Sequence, residues 1–341
     1  MGINKKINIK ELANKIGVST TAVSRALNGH KNISKKTTEK IIKAAQKYSY
    51  FPDVSAKRLA SKKPDTIAFI TSIDPYAQDY VLLEFLAGLT LGVKNKTTEL
   101  MVKFLSNEKA ELAYYKKLIK FNLADKFVFY RTKKNDPRIK FLQKNNINFV
   151  SWGRTSDYSD YAWMDLDNEK SIYILMKRLF DFGHRKIGFI NVHQSYNYGF
   201  QRKKSYAEFH NKFNIPLTSS YYQESLDYRT SIGIHLSKKL LSLKNRPTAI
   251  ICSLDKYFIG CLQECRNRRL IIGKDIAVVG FNDHDNYLSN QNLTYISHPL
   301  KKMGKNAVKM LENLEKGESP ENQSMLIDPV LHEGSLDKLP E

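Results

Sequence analysis

The segment from Val18 to Asn28, VSTTAVSRALN, places hydroxyl side chains and one arginine between apolar residues. Small hydroxylated residues are mediocre helix formers, because their side chains compete for nearby backbone groups. They are suited, however, to contacts in the DNA major groove, where a threonine methyl packs on thymine and an arginine bonds bidentately to guanine. The chemistry that this segment indicates is therefore recognition of base edges.

Short helices are needed to present that segment. Apolar residues recur at helical spacing from Ile9, stop at Gly17 and resume after Ser19, which is placed to cap a second helix. After a short loop, Ser34 is placed to cap a third helix that ends before Pro52. This order predicts a helix-turn-helix, whose second helix lies in the DNA major groove.

The polar face of the second helix supplies the candidate DNA contacts. They are Ser19, Thr20, Thr21, Ser24 and Arg25, with Asn28, His30 and Lys31 at the far end near phosphates. Charge favours this interpretation, because residues 1–63 hold 15 Lys and Arg against three acidic residues, in a chain of net charge +21. The alternative is a surface helix whose hydroxyls serve only solubility.

The chain has 341 residues, a length that predicts two or three folding units. Apolar residues make up 42%, but no run is long enough to span a membrane and no secretory signal opens the chain. We therefore expect a cytoplasmic protein without membrane contact. Cys252, Cys261 and Cys265 are too few for a disulfide framework and lack a second ligand pair for a metal, so buried reduced thiols are expected.

From residue 65 onward, short apolar runs alternate with longer amphipathic stretches. The runs are TIAFI, ELMVKFL, DKFVFY, INFVSW, RKIGFI, TAIIC and IAVVGF. Runs of this kind between helices are typical of buried strands in a parallel sheet. They predict a doubly wound α/β architecture, whose ligand crevice lies at the carboxyl ends of the strands.

An enzyme is the first alternative for such a fold. The sequence contains no nucleophile elbow, Walker loop, zinc-protease motif or dinucleotide fingerprint. We therefore expect no catalytic residue, no metal site and no cofactor.

Residues 9–61, IKELANKIGVSTTAVSRALNGHKNISKKTTEKIIKAAQKYSYFPDVSAKRLAS, resemble without gaps the DNA-binding segment of the lactose/galactose repressor (LacI/GalR) family of bacterial transcription regulators. The resemblance implies a homodimer bound to a near-palindromic double-stranded DNA operator. It also implies a hinge helix, DVSAKRLAS, that folds on DNA and inserts Leu59 into the minor groove, with Ala56 and Lys57 beside it. Core packing is the alternative for Leu59, but its charged neighbours leave it little core to join.

The remainder resembles the family's periplasmic-binding-protein-like core, in which two subdomains flank a small-molecule cleft. The motifs are FDFGHRKIGFI, RKKSYAEF, PTAIICSLDKYFIG, IAVVGFND and LTYISHPLKKMGKNAVKML. The expected fold is an N-terminal all-α helix-turn-helix DNA-binding domain (1–52), a hinge and linker (53–64) and an α/β core of two doubly wound parallel-sheet subdomains (65–341). The N-subdomain is expected at about 65–165 and 295–323, and the C-subdomain at about 166–294 and 324–341.

The resemblance also implies which side chains meet the effector. Family positions correspond to Arg202, Tyr228, Asp255 and Asn282, and loop positions add Asp74, Tyr76, Asp79, Trp152 and Arg154. The alternatives are surface ion pairs or helix caps for Asp74, Asp79 and Arg154, and core packing for Trp152.

Two departures from the family bear on the identity of the effector. Leu254 stands where the family has asparagine, and Asn282 stands where it has aspartate, so the effector need not be a common monosaccharide. The segments DPRIKFL, FVSWGRT and YAWMDLDNE nevertheless resemble members that respond to sugars. A sugar or glucoside is therefore the expected effector.

Effector binding is expected to rotate one subdomain against the other and so change the distance between the hinge helices of a dimer. Release from DNA and co-repression both fit the residues. The segment HEGSLDKLPE carries no heptad pattern, which favours a dimer over a coiled-coil tetramer. The second alternative is a cytoplasmic sugar-binding module of the same fold without specific DNA binding.

Overall fold

The structure, a computed structural model, divides into two compact units, Met1–Asp65 and Thr66–Glu341. The residues that it describes are 7–27, 32–48, 50, 64–72, 80–94, 97–157, 160–283, 288 and 291–338. The predicted hinge and linker lie outside the described residues apart from Pro64.

Three short helices form the described part of the first unit. They are α1 (Ile9–Ile16), α2 (Thr20–Leu27) and α3 (Lys35–Lys47). The Ser19 hydroxyl accepts a hydrogen bond from the Ala22 amide at 3.1 Å, and the Ser34 hydroxyl accepts one from the Thr37 amide at 3.2 Å. Gly17 ends α1 in the left-handed conformation, with φ 69°. Both predicted caps and the predicted turn are therefore confirmed.

A small apolar core holds these helices together. Leu12 of α1, Val23 of α2 and Ile41 of α3 are fully buried in one cluster. The Nζ atom of Lys40 donates a hydrogen bond of 2.8 Å to the carbonyl oxygen of Ile16, which ties α3 to the end of α1. Helices this short are marginal alone in water, so the shared core supplies most of their stability.

The second unit contains two six-stranded sheets. The first sheet consists of β1 (Thr66–Ser72), β2 (Glu99–Leu105), β3 (Lys126–Tyr130), β4 (Asn148–Trp152), β5 (Ala162–Leu166) and β11 (Ser324–Ile327). Its strands are parallel, in the order β11-β5-β4-β3-β1-β2.

The second sheet has the same kind of order. It consists of β6 (Ile187–Val192), β7 (Tyr222–Ser225), β8 (Ala249–Cys252), β9 (Ala277–Phe281), β10 (Tyr295–Ser297) and β12 (Val330–His332). The order is β12-β10-β9-β8-β6-β7, and only the pairing of β12 with β10 is antiparallel among the described strands of this sheet. Both sheets are doubly wound, as predicted.

Eight α-helices are described in the second unit. They are α4 (Tyr80–Gly92), α5 (Glu108–Lys120), α6 (Pro137–Lys144), α7 (Asn168–Asp181), α8 (Asn197–Lys212), α9 (Thr230–Leu241), α10 (Asp255–Asn267) and α11 (Leu300–Glu315). Short 3-10 turns cover Ser219–Tyr221 and Pro320–Asn322.

Helices α4 and α11 pack closely against each other. A Cβ added to Gly88 would lie 2.4 Å from the Lys301 carbonyl oxygen, and one added to Gly304 would lie 2.4 Å from that of Phe85. Glycine at both positions is therefore what allows the two backbones to approach.

Strand β2 differs from the prediction of a buried strand. Its apolar run forms a strand, but Val102 and Phe104 are 39% and 42% exposed. The reason is its position at the edge of the first sheet, where β1 is its one hydrogen-bonded neighbour.

Strands β10 and β11 correct the expected subdomain boundaries. Residues 295–323 were expected in the N-subdomain, yet Tyr295 pairs with Gly280 in the second sheet. Residues from 324 onward were expected in the C-subdomain, yet Ser324 pairs with Trp163 in the first sheet. The last two crossings of the chain between the sheets therefore follow β10 and β11 instead of preceding them.

Cys252, Cys261 and Cys265 are buried free thiols, as predicted. No helix among the residues that the structure describes is long and apolar enough to cross a membrane.

The segment after β12 is fastened to α7 by Arg178. Its Nη1 and Nη2 atoms donate hydrogen bonds of 2.8 Å to the Glu333 carboxylate and the Gly334 carbonyl oxygen, and its Nε donates to Asp337. His184 lies beside this cluster, with Nε2 3.0 Å from the Asp337 carbonyl oxygen. Burial lowers the pKa of His184, which keeps the ring neutral at that position.

Candidate functional site

Helix α2 presents a polar face to solvent in the first unit. Thr20, Thr21, Ser24 and Arg25 are exposed, as is Ser19 at its cap. The opposite face carries Val23 and Ala26, which are buried. The predicted base-contact residues described by the structure therefore share one accessible surface. Asn28, His30, Lys31, Ala56, Lys57 and Leu59 lie outside the described residues.

A cleft lies between the two sheets of the second unit. It holds about 850 Å³ of empty space, including solvent at its mouth. Its walls are the carboxyl ends of strands and the first turns of helices, such as Tyr130 of β3, Trp152 of β4 and Asp255 of α10. This is the position predicted for a ligand crevice in a doubly wound fold.

The structure brings four of the predicted effector residues together in this cleft. They are Trp152, Arg202, Tyr228 and Asp255. Arg154 and Asn282 are not among the lining residues. Asn282 is 1% exposed, and its backbone N–H donates a hydrogen bond of 2.9 Å to the Ile296 carbonyl oxygen. Asp74, Tyr76 and Asp79 lie outside the described residues.

Arg202 is held rigidly on the second-sheet side. Its Nε donates to the Asn168 amide oxygen at 2.8 Å and its Nη1 to the Ser253 carbonyl oxygen at 2.7 Å. The guanidinium carbon lies 3.8 Å from the ring centroid of Phe281. Burial lowers the pKa of Arg202 to about 10, so the group stays charged at neutral pH. A fixed cation of this kind is suited to hydrogen-bonding sugar hydroxyls.

Asp165 is the corresponding buried anion on the first-sheet side. Its carboxylate lies 3.6 Å from Arg154 Nε and accepts a hydrogen bond from Asn168 Nδ2 at 3.3 Å. Burial raises the pKa of Asp165 to about 6, against the opposing influence of Arg154, Arg202 and His298. Arg154 therefore acts on the cleft through Asp165, in a largely buried ion pair rather than in the surface ion pair or helix cap given as its alternative role.

His298 and Trp152 form another wall. The His298 ring hydrogen-bonds Asp283 through Nδ1, and its backbone amide donates to the same carboxylate at 2.6 Å. The Trp152 ring meets His298 edge-on, with centroids 6.4 Å apart, and packs on Phe85 at 4.7 Å. Trp152 is thus both a cleft residue and part of the core packing proposed as its alternative.

Sequence reasoning missed several residues that line the cleft. They are Tyr130, Arg131, Asp165, Asn168, Tyr198, Lys256, Asp283 and His298. Most of them end a strand or begin a helix, so the rule that ligands bind at carboxyl ends would have found them if applied to every predicted strand. Aromatic rings beside buried cationic and anionic groups make the cleft suitable for binding a polyhydroxylated molecule.

Two family models match the chain. Bacterial regulatory proteins of the lacI family match residues 8–53, and a periplasmic binding protein-like domain matches residues 176–335. The HTH-type transcriptional regulator AglR of Rhizobium meliloti is 28% identical, over 93% of this chain and 91% of its own length. The matches confirm the predicted resemblance, and AglR is by name a transcriptional regulator.

Solved structures are similar over almost the whole chain. The lac repressor dimer bound to operator and an anti-inducer has a TM-score of 0.85 at 20% identity, covering 98% of this chain and 100% of that one. The complex of the transcriptional regulator CelR with cellobiose has a TM-score of 0.72 at 19% identity, covering 97% and 99%. These similarities confirm the predicted fold class.

Proposed function

Since this chain combines a LacI-family DNA-binding domain with a periplasmic-binding-protein-like domain, we propose that it is a transcriptional regulator whose operator affinity is controlled by a sugar or glucoside. The observation that carries the proposal is the exposed polar face of α2, with Thr20, Thr21, Ser24 and Arg25 on one side and the apolar core on the other. Such a face, following a tight turn at Gly17, is what major-groove reading requires.

The cleft is the proposed effector site. Arg202, Tyr228, Asp255 and Trp152 are assigned to binding, with Asp165 added from the geometry. The support is a walled cleft in which a buried cation and a buried anion face aromatic rings. The cellobiose complex of CelR, a protein of similar fold, favours a sugar over other small molecules.

The proposal extends to assembly and location. A cytoplasmic homodimer would place two copies of α2 on the half-sites of a near-palindromic operator. Residues 1–52 would read DNA and residues 53–64 would form a hinge that contacts the minor groove through Ala56, Lys57 and Leu59. Asn28, His30 and Lys31 would contact phosphates. Rotation of one subdomain on effector binding would then change the separation of the two hinges.

Selection of bound sequences from a random duplex pool tests the proposal. Full-length protein is incubated with the pool, alone and with each of a panel of sugars, and the retained duplexes are sequenced. Recovery of a two-fold palindrome supports the regulator, and a sugar that changes recovery identifies the effector and the direction of control.

The alternative outcome is equally informative. Sugar binding by calorimetry without any enriched palindrome would favour a cytoplasmic sugar-binding module that does not bind specific DNA. A palindrome that no sugar affects would keep the regulator and reject the sugar effector.

A further inference from the structure

Two cavities of the second unit meet at a small set of side chains. One is the effector cleft, and the other is an outer groove with about 2910 Å³ of empty space, open solvent included. Four residues line both: Tyr130, Arg131, Tyr228 and Lys256. These side chains therefore mark the boundary between the cleft and the outer groove.

Arg131 spans the cleft at this boundary. Its guanidinium carbon lies 4.8 Å from the ring centroid of Tyr130, at the end of β3, and 4.5 Å from that of Tyr228, which follows β7. A guanidinium over an aromatic face at this distance is attracted by the ring quadrupole. Because β3 and β7 belong to different sheets, the stack links the two subdomains.

The backbone of Arg131 is fixed at this boundary, and its side chain makes the cation–π contacts described above. Its φ of 59° lies in the left-handed region, which residues with a Cβ rarely adopt. Nη2 of the buried Arg138 donates hydrogen bonds of 3.2 Å to the carbonyl oxygens of both Tyr130 and Arg131. Arg138 is itself fixed by ion pairs with Glu111 at 2.6 Å and Asp136 at 2.7 Å. Backbone conformations over-determined in this way are concentrated at ligand clamps.

We propose that Arg131 and Tyr228 form a second sugar subsite, so that the effector is a disaccharide or longer oligosaccharide. Its first ring occupies the cleft, its second ring takes the place of the guanidinium on the Tyr228 face, and further rings extend into the outer groove. The inference rests on the proposed sugar effector.

Chemistry at the boundary fits a second ring. The apolar face of a pyranose packs on an aromatic ring, while a displaced planar guanidinium has several donors in a fork for the hydroxyls. Lys256, which lines both cavities, adds further hydrogen-bond donors at this boundary.

Titration calorimetry with the full-length protein tests the subsite. The probes are glucose and galactose, with maltose, cellobiose, trehalose and melibiose as disaccharides built from them. We expect at least one disaccharide to bind at least tenfold more tightly than either monosaccharide. Arg131→Ala and Tyr228→Leu should each reduce that ratio to below threefold.

Lys134→Ala is the matched control. Its ammonium lies 3.2 Å from the ring centroid of Phe200, so it removes another cation–π contact between the subdomains, but neither residue lines the cleft or the groove. The ratio should be unchanged in this variant. A circular dichroism spectrum matching the parent establishes that each variant is folded.

Different outcomes would reject the second sugar subsite and the sugar-controlled regulator. Monosaccharide affinity equal to or above every disaccharide, with operator selection still sugar-sensitive, overturns the second subsite and leaves a sugar-controlled regulator. An unchanged ratio in Arg131→Ala and Tyr228→Leu also overturns the subsite. Binding of no sugar, with a palindrome still selected, overturns both the sugar effector and this inference.

Discussion

The Nε atom of Arg202 donates a hydrogen bond of 2.8 Å to the amide oxygen of Asn168, whose Nδ2 donates in turn to Asp165. The side-chain amide of Asn168 thus orients both Arg202, on helix α8 beside the second sheet, and Asp165, in strand β5 of the first sheet. Asn168→Ala should weaken effector binding by about tenfold and lower the free energy of unfolding by about 1–3 kcal/mol, because a buried charged donor loses its acceptor.

Calorimetry and chemical denaturation measure the two effects. Asn145→Ala is the control, since its amide donates to a backbone carbonyl at the exposed end of α6. Effector affinity equal to that of the parent in Asn168→Ala would show that Arg202 is oriented without it.

Arg25→Ala tests the surface of α2. Loss of a bidentate contact to guanine should cost about 1–3 kcal/mol of operator affinity and relax specificity at one base pair. Competition binding with single-base operator variants measures both. Equal losses on operator and random DNA would identify Arg25 as a phosphate contact, and Lys43→Ala on the exposed face of α3 provides a charge-matched comparison.

Asp165 makes stability depend on pH. Burial raises its pKa in the folded state to about 6, above the ordinary carboxyl value of 3.8, so the folded protein binds more protons than the unfolded chain between these values. Its contribution to stability is therefore fully present below about pH 4 and is lost as the pH rises through 6.

Asp165→Asn removes this titration. The free energy of unfolding of the variant, relative to the parent, should rise by about 1 kcal/mol between pH 5 and pH 7.5. Urea denaturation at several pH values measures the difference. A constant difference across this range would show that burial does not raise the carboxyl pKa.

Substitution of the sequence neighbours Arg178 and Lys177 should destabilise the protein to very different extents. Arg178 fastens the segment around Asp337 from a largely buried position, so Arg178→Ala should lower the free energy of unfolding by about 2–4 kcal/mol. Lys177 pairs with Asp181 on the surface, and Lys177→Ala should cost less than about 0.5 kcal/mol. Urea denaturation measures both free energies of unfolding. Similar losses of stability in the two variants would show that Arg178 does not fasten the segment around Asp337.

The sequence was sufficient for seven strands, β1, β2, β3, β4, β6, β8 and β9, because each contains an apolar run between amphipathic segments. It did not indicate β5, β7, β10, β11 or β12, which are three to five residues long and most of which carry polar or mixed residues. A pattern needs more residues than these strands have to establish a period. Nor did the run ELMVKFL reveal that β2 is an exposed edge, because edge position depends on strand order rather than on composition.

The sequence predicted the position of the cleft but only some of the residues that line it. Trp152, Arg202, Tyr228 and Asp255 line it as expected. Asp165 was missed because a carboxylate inside a buried strand has no sequence signature of its own. Arg131 reaches the cleft through a left-handed backbone conformation, and Arg138 fixes that backbone by a hydrogen bond to its carbonyl oxygen. Arg131 was missed because no periodic sequence pattern reveals a conformation of this kind.

The first sheet is completed late during translation. Strands β1 to β5 are synthesised before β6, but α11 and β11 are synthesised only after β6 to β10. Leu300, Met303 and Leu311 of α11 belong to the same apolar cluster as Phe69 of β1 and Met164 of β5. A nascent chain that ends before α11 therefore carries an unfinished first sheet whose apolar cluster lacks its covering helix. Exposed apolar surface of this kind makes folding intermediates prone to aggregation until the last part of the chain is translated.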